Sequence, residues 1–97
     1  MSSHDVIRTD AVLVRVMELD HGASTKWHYH TEVTDYFVCL NGAIKVEVNN
    51  PDESVVLHPG QRAEITPPQV HRVSNAYPEK SEYLLVQGVG TYDFVEL

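Results

Sequence analysis

Cysteine, basic residues and long apolar runs are all scarce in this chain of 97 residues. Its one cysteine, Cys39, cannot form an internal disulfide, so a reducing cytoplasm is the expected compartment. Seven Lys and Arg stand against 14 Asp and Glu, a formal net charge of −7, which argues against nucleic acid or an anionic membrane as a partner. The N-terminal MSSHDVIRTD is polar, so neither a signal peptide nor a membrane span is expected.

Helical periodicity is also missing, and short alternating runs separated by turn signals predict an all-β sandwich or barrel. The length suits one small domain over residues 1–97. Asn41-Gly42 is the strongest hairpin signal in the chain. The predicted strands cover residues 11–19, 35–40, 43–48, 54–58, 61–65, 70–75 and 83–89.

Two histidines one residue apart, His28 and His30, are the most informative feature of the sequence. On an extended strand both imidazoles share one face, because side chains alternate with period two. His71 supplies a third imidazole later in the chain. With one carboxylate, three imidazoles make a mixed N/O shell suited to iron, manganese, nickel, copper or zinc. The competing interpretation is a pair of partly exposed histidines on an edge strand.

The spacing around these histidines resembles the two motifs of the cupin family. Residues 22–42 match its first motif, G-x5-HxH-x3,4-E-x6-G, at every interval, with Asp35 where the family has glutamate. Residues 60–75 keep the spacing of its second motif, G-x5-PxG-x2-H-x3-N, with Thr66 and Pro68 in place of the proline and the glycine. The joint match is specific to the fold and says little about the reaction.

The resemblance extends over roughly residues 11–90 and implies a double-stranded β-helix, also called a jelly-roll barrel. It also implies that one divalent transition-metal ion is bound, by His28, His30, Asp35 and His71.

Asp35 is both a candidate metal ligand and the candidate catalytic residue, although its side chain is one methylene shorter than glutamate. It either coordinates the ion after a strand shift, holds a metal-bound water, or orients a histidine from outside the ligand shell. A solvent-facing strand-end aspartate is the alternative. Glu32 is a rival, since it shares a face with His28 and His30 on an unbroken strand, but the family motif breaks the strand there. If Asp35 faces inward, Cys39 does too, as a small buried hydrophobe.

The other singled-out residues have structural expectations. Glycines at tight turns supply positive φ angles, and Asn75 closes a turn near the barrel mouth. Three aromatic or amide side chains could reach the pocket or a subunit interface: Tyr83, Gln87 and Tyr92. Three histidines are expected to face solvent: His4 in a mobile N-terminal segment, and His21 and His58 beside turns. The glycines are Gly22, Gly42 and Gly60.

The function implied by the resemblance is a metal-dependent protein acting on a small-molecule ligand. As an enzyme it would carry out dioxygenase-type chemistry with a redox metal, or isomerase, cyclase or lyase chemistry with zinc, nickel or manganese. The alternatives are a non-catalytic barrel that binds a sugar or another metabolite, and a metal-free structural relic. Because a small barrel leaves exposed sheet edges, the chain is expected to form a homodimer.

Overall fold

In the computed structural model, which describes residues 2–88 and 93–97, the chain forms ten β-strands. Across those residues no helix is present that is long and apolar enough to cross a membrane. The strands are β1 (Ser2–Arg8), β2 (Val12–Leu19), β3 (His28–Tyr29), β4 (Thr34–Asn41), β5 (Ile44–Val48), β6 (Glu53–Leu57), β7 (Arg62–Ile65), β8 (His71–Asn75), β9 (Ser81–Gly88) and β10 (Val95–Glu96).

The strands form two antiparallel sheets of five strands each. The first sheet has the order β1-β2-β9-β4-β7 and the second has the order β10-β3-β8-β5-β6. Neighbours in each sheet are mostly distant in sequence, because the chain passes back and forth between the two sheets. This is the double-stranded β-helix of a jelly-roll barrel, so the fold expected from the sequence is confirmed.

Alternation along β4 decides which side chains enter the barrel. Asp35, Phe37 and Cys39 are buried, whereas Tyr36 and Val38 point to the outer face. Cys39 is a free thiol inside the apolar core, where burial raises its pKa, so it serves as the small hydrophobe expected. The core cluster consists of Leu19, Phe37, Cys39, Ile44, Val46, Leu57, Val73, Tyr83 and Leu85.

The Asn41-Gly42 turn does not close a hairpin, contrary to the sequence prediction. β4 before it lies in the first sheet and β5 after it lies in the second, so the chain crosses the core here. A turn signal specifies a reversal of direction and does not specify which strands pair. Gly42 has a φ of 76°, and a Cβ at this position would overlap the Ser81 hydroxyl, so two independent constraints require glycine. Gly22 and Gly60 also have the expected positive φ.

Two edge strands, β1 and β10, were not predicted. β1 is polar and all seven of its residues are exposed, so its order comes from backbone pairing with β2 and not from apolar burial. His4 therefore lies on an ordered strand opposite Val16, and the expectation of a mobile segment is wrong. His4, His21 and His58 are exposed, as expected.

Asn75 closes the turn that follows β8. Its Nδ2 donates to three backbone carbonyls, among them that of Leu19 at 3.1 Å, and its Oδ1 accepts from the backbone N–H of Tyr77 at 2.9 Å. Asn75 and His71 stand at opposite ends of β8, so this turn lies away from the histidines and not at their end of the barrel.

Candidate metal centre

Four buried side chains meet at one end of the barrel. His28 on β3 pairs in register with His71 at the start of β8, and His30 follows directly after β3. Asp35 reaches them from β4 on the opposite sheet. One ligand atom of each residue lies within 4.8 Å of the others, and none of the four residues is more than 4% exposed. The four candidate ligands named from the sequence therefore lie together.

Backbone carbonyls orient the three imidazole rings. Each Nδ1 lies within hydrogen-bond distance of a carbonyl oxygen, which can only accept, so the neutral ring carries its proton on Nδ1. Each Nε2 is then left with a lone pair directed into the cluster, the arrangement that metal-binding histidines usually show. The carbonyls belong to Lys26, Asp93 and Gln69 for His28, His30 and His71, respectively.

Asp35 bridges two of these rings. Its Oδ2 lies 2.9 Å from the Nε2 of His30 and 2.9 Å from the Nε2 of His71, while its Oδ1 accepts from Nε2 of Gln87 at 2.7 Å. With both ring protons on Nδ1, lone pairs would face each other across these contacts unless a cation lay among them. Two ligand atoms at ~2.1 Å from one ion and at right angles to each other are roughly 3 Å apart, so the spacing fits a shared metal ion. The shorter aspartate arm thus reaches the cluster.

The charges of the cluster suit cation binding. Burial opposes the ionised form of Asp35, but the contacts of its carboxylate with His30 and His71 outweigh the cost of burial and lower the pKa of Asp35 to about 2. Burial lowers the pKa of His28 to about 4. Burial also disfavours the charged form of His30, but its hydrogen bond to Asp35 prevails and raises its pKa. In the metal-free cluster a proton on His30 can therefore supply the positive charge that these contacts need.

The donor set fits a transition metal better than calcium or magnesium. Three imidazole nitrogens and one carboxylate oxygen suit iron, manganese, nickel, copper or zinc, whereas calcium and magnesium prefer oxygen ligands throughout. The Oε1 atom of Gln87 is buried and has no hydrogen-bond partner among the described residues. A buried acceptor of this kind calls for a donor from a bound ligand or water.

A cavity of about 70 Å³ is lined by three of the four residues, His28, His30 and Asp35. Tyr83 and Gln87 line it, so both could contact a ligand there, while Tyr92 lies outside the described residues. A larger surface groove of about 430 Å³ is lined by Trp27 and by several acidic residues but by none of the four, so of these two cavities only the smaller one borders the cluster. Glu32 is exposed and is not part of the cluster.

The C-terminal segment 93–97 contacts His28, His30 and Thr31, a role that could not be predicted from the sequence. Besides its carbonyl contact with His30, Asp93 accepts hydrogen bonds through its carboxylate from the backbone N–H and the hydroxyl of Thr31, at 2.8 and 2.6 Å. The ring of Phe94 stacks on His28, with centroids 4.1 Å apart and planes at 19°. No motif extends into this segment, and only the pairing of β10 with β3 brings it to the site.

Comparison with known proteins agrees with the geometry. The family model described as the cupin domain matches residues 15–87. The protein TT1209 from Thermus thermophilus superposes with a TM-score of 0.84 at 25% identity, covering 92% of this chain and 83% of that one. KdgF from Halomonas sp. gives a TM-score of 0.80 at 20% identity, covering 91% and 79%.

An oxalate oxidase gives a TM-score of 0.82 at 16% identity over 90% of this chain, which spans only 46% of that protein. No curated protein matches the chain. At these identities, the likeness to oxalate oxidase and KdgF shows the shared fold.

Proposed function

We propose that this chain, which belongs to the cupin family, is an enzyme that binds one divalent transition-metal ion and acts on a small molecule. The proposal rests chiefly on the pair of 2.9 Å contacts between Asp35 Oδ2 and the Nε2 atoms of His30 and His71, a spacing that fits two ligand atoms of one shared cation. A bound ion would supply Lewis acidity, with oxygen chemistry if it is a redox metal and isomerase, cyclase or lyase chemistry if it is zinc, nickel or manganese. The proposed ligands are His28, His30, Asp35 and His71.

The surrounding residues prepare the cluster for this role. Gln87 holds Asp35 Oδ1, so that Oδ2 alone faces the imidazoles. Asp35 is the proposed catalytic carboxylate, because it is the one carboxylate among the four proposed ligands and stays ionised at neutral pH. Phe37, Leu85 and Phe94 give the cavity apolar walls, which keep bulk water away from a bound substrate.

A non-catalytic binding module is the second candidate. Among the described residues that line the cavity, the ionisable groups other than the proposed ligands are Arg15 and Tyr83, and burial raises the pKa of Tyr83. The cavity therefore offers few groups for proton transfer at neutral pH, which favours binding without turnover. Substrate turnover by the metal-loaded protein would decide for the enzyme.

Elemental analysis of untagged protein, purified without chelators, tests the proposal. We expect about one transition-metal ion per chain, severe loss in His28→Ala and His71→Ala, and no loss in His58→Ala, whose ring is exposed. A redox metal would direct substrate screens to oxygen uptake, and zinc would direct them to isomerases and lyases. Unchanged metal content in the double variant His28→Ala, His30→Ala would refute the assignment.

We also propose that the chain acts as a homodimer in the cytoplasm. Support comes from β1, an edge strand whose Val6 and Ile7 are 55% and 51% exposed, because such edges pair readily with a second copy. The free thiol of Cys39 suits a reducing compartment. Light scattering at micromolar concentration should give the dimer mass, and a shift towards monomer in Ile7→Lys. A monomer mass for the parent protein would contradict the proposal.

A further inference from the structure

We infer that the cavity beside the candidate metal centre selects small carboxylates, and that Arg15 is the residue that binds the carboxylate group. The inference rests on the proposed function, because three of the proposed metal ligands, His28, His30 and Asp35, line the same cavity. It names a substrate class for the site. It also assigns a specificity residue, Arg15, that lies outside both cupin motifs, which span residues 22–42 and 60–75.

Arg15 lies on the inner face of the first sheet. It pairs with Leu85 on β9, which in turn pairs with Phe37 on β4, and all three line the cavity. Asp35 lies two residues before Phe37 on β4, so Arg15 and Asp35 are two strand spacings apart across the sheet and two residues apart along it, roughly 12 Å between their Cα atoms. The Nε of Arg15 bonds to Asp5 on β1, the neighbour of β2 on the side away from β4, while the arginine side chain still lines the cavity.

The guanidinium group of Arg15 is held in place by one hydrogen bond, which uses only its Nε. Its Nε donates to Asp5 Oδ1 at 2.9 Å, and the same carboxylate accepts from Nη1 of Arg8 at 3.2 Å through Oδ2. No hydrogen bond from the two terminal nitrogens of Arg15 is present within the described residues. Two guanidinium groups against one carboxylate leave a net positive charge at this edge, and a fixed guanidinium binds carboxylates in a bidentate manner.

The rest of the cavity limits the size and the charge of the ligand. A volume of about 70 Å³ corresponds to roughly two water molecules, so a ligand of few heavy atoms fits. Asp35 neutralises only part of a divalent ion's charge, and Arg15 adds another positive charge, so an anion is favoured over a neutral molecule. The remaining walls are mostly apolar, which disfavours a second charged group on the ligand. The apolar lining residues are Met17, Phe37, Val73, Leu85 and Phe94.

Acetate and its neutral isostere acetamide test the inference on Mn²⁺-loaded protein. Binding is followed by the paramagnetic broadening of the methyl proton signal of each probe, and metal content is measured on every sample. We expect Arg15→Gln to keep its manganese, to bind acetate at least tenfold more weakly, or about 1.4 kcal/mol, and to bind acetamide as the parent protein does. Arg15→Lys, which keeps the charge and loses the planar fork, should lie between the two.

Arg8→Gln is the matched control, because Arg8 contacts the same carboxylate and does not line the cavity. An equal loss of acetate binding in Arg8→Gln would show a long-range charge effect and overturn the role of Arg15. Unchanged acetate binding in Arg15→Gln, with manganese bound, would overturn the inference alone. A parent protein that takes up no manganese or other transition metal would overturn the proposed function and this inference with it.

Discussion

Replacing Asp35 with asparagine keeps the shape of a buried side chain and removes the one negative charge of the candidate metal centre. In the metal-free protein the carboxylate has a pKa lowered from 3.8 to about 2. At ~1.4 kcal/mol per pKa unit, its ionised form contributes on the order of 2 kcal/mol to folding. Because the folded-state pKa is depressed, this contribution is complete above pH 3.8 and is lost as the pH falls through about 2.

We therefore expect metal-free Asp35→Asn to be less stable than the parent by about 2 kcal/mol at pH 6, which lowers Tm by roughly 10 °C in a domain of this size. The metal-bound state should lose more. Removing one partner from a buried charged cluster costs ~3 kcal/mol, or on the order of 100-fold in metal affinity. At a fixed free metal concentration, the rise in Tm caused by the metal should shrink accordingly.

Thermal unfolding followed by circular dichroism, first with a chelator and then at fixed free Mn²⁺, measures both effects. Asp10→Asn is the control, because Asp10 is exposed and lies outside the four-residue cluster. If Mn²⁺ raises the Tm of Asp35→Asn and of the parent protein by the same amount, Asp35 is not a metal ligand and the reasoning from the 2.9 Å contacts is wrong.

Three further predictions concern the surroundings of the site. The pKa of His28 is lowered from 6.5 to about 4, so as the pH falls below 6.5 the unfolded chain binds a proton at His28 before the folded protein does, and the folded state loses stability. In urea titrations of metal-free protein, the free energy of unfolding of the parent should fall by about 3 kcal/mol relative to that of His28→Gln between pH 7 and pH 4. A difference that does not change with pH would contradict this. Asp93→Ala should lower metal affinity roughly 10- to 100-fold in chelator competition, because Thr31, next to His30, loses both hydrogen bonds to the Asp93 carboxylate. Asp52→Ala is the control and should have no effect. An equal loss of affinity in both variants would show that Asp93 does not hold His30 in place. Gly42→Ala should lower the free energy of unfolding by roughly 3 kcal/mol, because the added Cβ would overlap Ser81. Gly60 has a similar φ but open space around it, so Gly60→Ala should cost only about 1 kcal/mol. Equal costs would show that the contact with Ser81 is unimportant.

Local rules were sufficient for much of the site. Strand alternation alone places His28 and His30 on one face, and it also explains why Asp35 and Cys39 enter the barrel together. The positive φ at Gly22, Gly42 and Gly60 follows from turn chemistry, which involves only neighbouring residues. The spacing of the two motifs was sufficient to predict the fold, because each interval reflects a strand and a turn of defined length.

Tertiary structure decided which strands pair and which distant groups meet. The Asn41-Gly42 turn sends the chain into the other sheet, since the apolar faces of β4 and β5 cover each other across the core. Gln87 lies opposite Asp35 and Arg15 opposite Leu85 only because β9 is inserted between β2 and β4. The β3–β10 pairing alone brings Asp93 and Phe94 to the histidines. Contacts of this kind depend on sheet order and register, which the separate strands do not encode one by one.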